Sequence, residues 1–280
     1  MLICALIRGS TNSKSDFSKS SYRVMCKEAD SDQCSSGNVL IDASLTRVEE
    51  SSFAEQFISG VDFSNCKNLT VIGEKAFSSN KIKSVNFNEL KSIKAIGRHA
   101  FESNKLTSID LFELNKLTII DDFAFSKNKL VVLKLPQFIS TIGVNAFKSN
   151  KLKAVDFSNQ HHLANLNIGA FAENEMASLD LSGCKSLKNI SAFAFFDNEL
   201  TEVRIPATIE FIGLKAFHNN PNLRFACYEG KQQPRGAREA FTQSILPENS
   251  FLKCPRKLGP HYLASVEEEF ILDPDGQLEL

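Results

Sequence analysis

The chain has 280 residues and a formal net charge of −1, with 32 Lys and Arg against 33 Asp and Glu. That balance removes the general electrostatic case for a nucleic-acid or anionic-membrane partner. Composition is globular with one skew, 23 Phe against 3 Tyr and no Trp, so some recurring feature asks for Phe.

At the start, Met1 to Arg8 is apolar but too short for a complete secretory leader, and it lacks a basic n-region and a small-residue cleavage site. It reads as the remnant of a longer leader or as a strand or tail. Ile3 stands where a lipoprotein signal would put a small residue before Cys4. No run approaches the ~20 apolar residues that span a bilayer. Residues 1–35 are assigned to an N-terminal tail or cap.

From there the chain repeats itself. GEKAFSSNKIKSVNF (73–87), GRHAFESNKLTSIDL (97–111), DDFAFSKNKLVVLKL (121–135) and GVNAFKSNKLKAVDF (143–157) are one unit. IGAFAENEMASLDL (168–181), SAFAFFDNELTEVRI (191–205) and GLKAFHNNPNLRF (213–225) continue it. The key Phe falls at Phe77, Phe101, Phe125, Phe147, Phe171, Phe195 and Phe217, in steps of 24, 24, 22, 24, 24 and 22 residues. Upstream, residues 39–53 align with 133–147 and put Val39, Ile41, Leu45, Val48 and Phe53 at core positions. Downstream, Ala240-Phe241 lies 24 residues beyond Phe217. A fixed period of this length signals stacked units, none of which can bury its apolar side alone.

Each unit has two halves. The first, L-x-x-V-x-L as in Leu106 to Leu111, alternates like a short strand. The second, L-x-x-I-G-x-x-A-F as in Leu69 to Phe77, predicts a tight bend at Gly73 leading into a short helix or 3₁₀ turn, with Phe reaching inward. The 22-residue form runs straight from strand to turn through Pro136 or Pro206; the 24-residue form inserts two residues there as a bulged loop. An Asn column (Asn80, Asn104, Asn128, Asn150, Asn174, Asn198) reads either as a buried ladder satisfying turn backbone groups or as exposed turn residues.

The pattern L-x-x-I-G-x-x-A-F-x-x-N-x-L-x-x-V-x-L resembles the leucine-rich repeats of the BspA or treponemal type, found in bacterial surface proteins and some parasitic protists. The resemblance covers about residues 36–228. Two departures stand out: Asn replaces the Cys often found before the strand, and the usual Pro after the strand survives only in the short units. The expected fold is an α/β repeat solenoid of about eight rungs, with a parallel β-sheet on the concave face and short helical or 3₁₀ turns on the convex side. The resemblance implies adhesion or host-molecule binding.

Seven cysteines are too few for a disulfide scaffold. Cys66 and Cys184 occupy equivalent loop positions five rungs apart, about 24 Å at a strand spacing near 4.8 Å, too far to bond. They read as buried thiols. Cys26–Cys34 and Cys227–Cys254 flank the two ends and are candidate cap disulfides in an oxidising compartment. Residues 229–280 read as a C-terminal cap, with an Asp273 to Gly276 turn suited to a hairpin.

No catalytic constellation, metal-ligand spacing or cofactor motif is visible, so neither enzyme nor cofactor is expected. His161-His162 is the one histidine pair, in a long-form loop, and lacks further ligands at suitable spacing. A candidate partner face follows from the strand. The column after the central apolar residue reads Asp62, Asn86, Asp110, Lys134, Asp156, Asp180 and Arg204; the column before it includes Val132 among small residues. Val131, Val132, Ala154 and Ala177 make its middle apolar, with Phe112 at the edge. The expected partner of these concave-face residues is a host or matrix protein or glycoprotein, met by an extracytoplasmic monomer. Two alternatives remain: a self-assembling structural repeat, and an intracellular effector.

Overall fold

The computed structural model describes residues 23–25, 37–241 and 252–253. They form a parallel β-solenoid of about eight turns with three hydrogen-bonded walls and one continuous apolar interior. The front wall holds the L-x-x-V-x-L strands: Gly60–Asp62, Ser108–Asp110, Val132–Lys134, Ser178–Asp180, Glu202–Ile205 and Phe225–Tyr228. Their central residues point inward and their neighbours outward, as a two-residue period demands.

This wall is interrupted. Residues 84–86 contribute a single Val61–Val85 bridge, and 154–156 form no strand. The continuous sheet lies elsewhere, on a back wall made by the Ile-Gly half of each unit. Eight two-residue strands run in order from Arg47–Val48 to Phe211–Ile212, all parallel. Inward residues there are Val48, Ile72, Ile96, Ile120, Ile142, Leu166, Ile190 and Ile212, all without exposed surface. β-branched residues suit this pleated, half-buried position.

The third wall corrects the expected helical side: it contains turns, not helices. Among the described residues only Ala237–Ala240 is helical. In the turn wall alternate N–H groups leave their own coil: Lys75, Phe77 and Ser79 donate to the carbonyls of Arg98, Ala100 and Glu102, each at 2.8 Å. Paired left-handed residues four apart, such as Lys75 and Ser79 or His99 and Ser103, aim these groups across the gap. The reason is spatial. A helix with side chains is about 10–12 Å across, whereas coils paired as strands stand about 4.8 Å apart. A wall of turns keeps the strand spacing; a wall of helices would splay it. Gly73 and Gly143 also differ from expectation: neither is left-handed. A Cβ on Gly73 would meet the Val48 carbonyl at 2.6 Å, and one on Gly143 the Asp122 amide nitrogen at 2.4 Å. Glycine there permits close approach between coils.

Phe forms the spine of the interior. Nine rings, from Phe53 through Phe77, Phe101, Phe125, Phe147, Phe171, Phe195 and Phe217 to Phe241, stack with centroids 4.7–5.7 Å apart. Phe63, Phe87 and Phe157 meet this column edge-on, an arrangement aromatic quadrupoles favour. The column explains the composition: a Tyr hydroxyl at these sealed sites would lack a partner.

The Asn column is a buried ladder and extends to Asn220. Asn128 Oδ1 accepts from Leu106 N–H at 3.1 Å, while Nδ2 donates to the carbonyls of Phe101, Phe125 and Ser126. Neighbouring rungs repeat the set. Cys66 and Cys184 are buried free thiols. Burial, then nearby carboxylates, pushes Cys66 up to about 11; burial and Asp180 push Cys184 up to about 12. Both stay protonated at neutral pH and are expected to resist iodoacetamide in the native protein at pH 8, then label in urea. Peptide mass spectrometry checks this; native labelling would refute the sealed loop column. Because the folded thiols ionise later than unfolded ones, this stability is complete below about pH 9 and is lost as pH rises from there towards 11–12.

At the N-terminal edge Arg23–Met25 pairs antiparallel with Asn38–Leu40. At the other end Leu252–Lys253 pairs parallel with Cys227–Tyr228. Cys227 is disulfide-bonded; Cys254, its expected partner, lies outside the described residues, as do Cys26, Cys34, Met1 to Arg8 and the Asp273 to Gly276 turn.

Candidate binding face

The polar column on the front wall has a structural origin. Asp62, Asn86, Asp110, Asp156 and Asp180 each accept, through Oδ1, the N–H of the residue two places on, at 2.8–3.1 Å. These are Asx turns opening the long-form loop. Where the column holds Lys134 or Arg204 instead, the residue two places on is Pro136 or Pro206, which has no N–H to satisfy. The loop thus dictates which residues are acidic, and the second carboxylate oxygen remains for other work.

At Asp110 that oxygen takes Lys134 Nζ at 2.7 Å from the next coil. Partial burial alone would raise this carboxyl; hydrogen bonds from Lys134 and the Phe112 N–H, with the Lys134 charge, bring it below the usual range. On the C-terminal side Asp180 pairs in register with Arg204, and Ser178 with Glu202. Burial pushes Glu202 up, opposed by Arg204 and assisted by Asp180. Asp62 and Asn86 lie on the coils joined by the Val61–Val85 bridge. The face residues therefore fall into three groups, and Asp110, Val132, Lys134 and Asp156 form the central one.

That centre has relief. Val132 is 51% exposed beside Val131 at 38%. The short coil through Pro136 lies between two long ones, and its missing loop leaves a notch of about 270 Å³ lined by Phe112, Leu133, Lys134, Leu135, Asp156, Asn159 and Gln160. Phe112 at its mouth is 48% exposed.

Gln160 and Asn159 are absent from the expected site. Gln160 occupies the loop position held elsewhere by Cys66, Leu90, Leu114 and Cys184, all sealed in the interior. It too is buried, at 3% exposure, and its Oε1 has no hydrogen-bond partner. A polar residue breaking an apolar column was the available sequence signal. His161 and His162 are exposed; His161 Nδ1 lies 3.2 Å from the Gly183 carbonyl and His162 packs near Phe138. Among the described residues no group of three or more potential ligands surrounds a metal position, and no helix is long and apolar enough to cross a membrane.

A parallel solenoid with an Ala-Phe turn wall and a polar front wall defines a repeat protein. Residues 31–105 and 94–224 match the BspA type leucine rich repeat region in six copies. The chain belongs to this leucine-rich-repeat family.

Among solved structures, the chain is similar to the functional domain of InlJ from Listeria monocytogenes, at 20% identity and TM-score 0.37, covering 73% of this chain and 35% of that one. The pneumococcal vaccine antigen PcpA shares 18% identity at TM-score 0.40, covering 68% and 62%. A leucine rich cell surface protein from Faecalibacterium prausnitzii shares 17% at TM-score 0.38, covering 70% and 79%. This chain thus spans about a third of the first and under two thirds of the second. No curated protein sequence matches it.

Proposed function

We propose that the chain is a non-enzymatic, extracytoplasmic binding or adhesion module that engages a protein or glycoprotein through the centre of its front wall. Leucine-rich repeats in general serve protein interaction, and the particular reading rests on one observation. Exposed Val131 and Val132 lie on the same coil as Lys134, just before the residues that line an open notch and form the Lys134–Asp110 pair. An apolar centre ringed by charge is the usual anatomy of a contact patch. The outer members, Asp62, Asn86, Asp180 and Arg204, are assigned to its rim. Self-assembly by extension of this wall is disfavoured by Arg23–Met25, because an antiparallel strand breaks the parallel stacking rule at that edge.

The test uses the full chain and immobilised matrix and cell-surface glycoproteins. Asp110→Asn and Asp156→Asn retain the turn acceptors, so a triple variant with Lys134→Gln removes charge without opening the loops. We expect it to keep its unfolding midpoint and bind about tenfold more weakly; Val132→Arg is expected to abolish binding. Unchanged binding in both moves the site off this face.

A further inference from the structure

The notch contains a defect that packing alone does not explain. In four other long coils the loop position facing the interior is Cys or Leu. Here it is Gln160, sealed from solvent and lining the notch beside the short coil. A buried carbonyl oxygen without a donor costs about 1–3 kcal/mol. Leucine would avoid that cost, as it does at Leu90 and Leu114. A half-turn of the carboxamide exchanges its oxygen and nitrogen, so the end that faces the notch can present either an acceptor or a donor to a ligand while the other end stays in the interior.

The remaining lining narrows the ligand. Lys134 is already paired with Asp110, which leaves Asp156 as the uncompensated charge of the lining, so the site disfavours an anion and suits a ligand that donates hydrogen bonds. An apolar ligand would leave the carboxamide end that faces the notch without a partner. Phe112 supplies a flat apolar surface at the mouth, while Asn159 and Asp156 supply groups that accept, and in the amide's case also donate, hydrogen bonds. A ligand with one apolar face and a rim of hydroxyls meets all these conditions.

We propose that the notch is a subsite for one neutral pyranose ring of a glycan, seated on Phe112 and hydrogen-bonded to Gln160. This rests on the front wall being a docking surface, and makes the glycan of a glycoprotein the part that the notch holds.

Saturation-transfer NMR on the full chain tests it, with the methyl glycosides of glucose, galactose, mannose and N-acetylglucosamine, and with N-acetylasparagine amide as a protein-like probe. Transfer to the ring protons of at least one glycoside is expected. Phe112→Ala should lose it. Gln160→Leu should weaken it about tenfold while raising the unfolding midpoint, since Leu rejoins the apolar column; a purely structural Gln160 would leave the transfer unchanged. The idea is overturned by absence of transfer from every glycoside, by transfer to the amide probe alone, or by wild-type transfer in both variants. The two readings separate cleanly: Val132→Arg abolishing glycoprotein capture while no glycoside binds would remove the sugar subsite and leave the docking face standing.

Discussion

Phe147→Ala is expected to lower stability by about 3–5 kcal/mol, the range for emptying a buried aromatic site. Phe147 has no exposed surface and lies between Phe125 at 5.6 Å and Phe171 at 5.3 Å. Its loss removes two ring contacts and leaves a cavity in the middle of the stack. The walls around that cavity are stitched to both neighbours, with Phe147 N–H donating to the Ala170 carbonyl at 2.9 Å and Phe125 N–H to that of Ala146 at 2.8 Å. Collapse would break those rungs, so the void stays open. A denaturant midpoint shows the result directly. In a repeat stack the neighbours lose a partner too, so a broadened transition is an equally informative sign. An unchanged midpoint would remove the Phe column from the account of stability.

Asn128→Leu is expected to cost about 2–4 kcal/mol, from one orphaned buried N–H at about 1–3 and several weakened carbonyl contacts. The carbonyls of Phe101 and Phe125 keep second donors, Asn104 and Asn150, and that of Ser126 keeps the Ser103 N–H. Leu106 N–H has Asn128 Oδ1 as its acceptor and is left with none. Asn128→Asp separates the two halves of the role. It preserves the acceptor for Leu106 but turns a carboxylate towards three carbonyls, so that carboxyl's folded pKa should rise. Its stability should then be complete at acid pH and be lost as pH rises through the folded pKa. Urea titrations of both variants at pH 4 and pH 7 check the pair; an Asp variant with no pH dependence would show that the site is open to water.

How much was legible beforehand varies with the range of the interaction. The Ala-Phe register, the inward residues of both halves and the two unit lengths follow from periodicity, and the interior matches them except at Leu45, Val155 and Phe241, which are only partly buried. The acidic column is visible in the order of residues, with Asp or Asn where an N–H follows two places on and Lys or Arg where Pro follows, but the Asx turns that explain it are formed only in the folded loops. The notch was half visible. Gln160 stands in a Leu and Cys column in plain sequence, but the space beside it exists because a short coil stacks between long ones.

The helical side is the instructive difference. The window from Leu69 to Phe77 carries a turn-like signal, and whether its N–H groups close a helix or reach outward depends on an acceptor 23 residues away, as Lys75 finds in Arg98. Likewise Val71–Ile72 is too short for alternation to announce a strand; it becomes one because Val48 and Ile96 flank Ile72 in register. By itself the amino-acid order determined the repeat, its core and its family, since these depend on which side chains recur. The tertiary structure alone decided where the continuous sheet lies, that the third wall is turns, and that a buried Gln160 borders a notch. Each of those depends on the coil next door, whose distance and hydrogen bonds no single unit encodes.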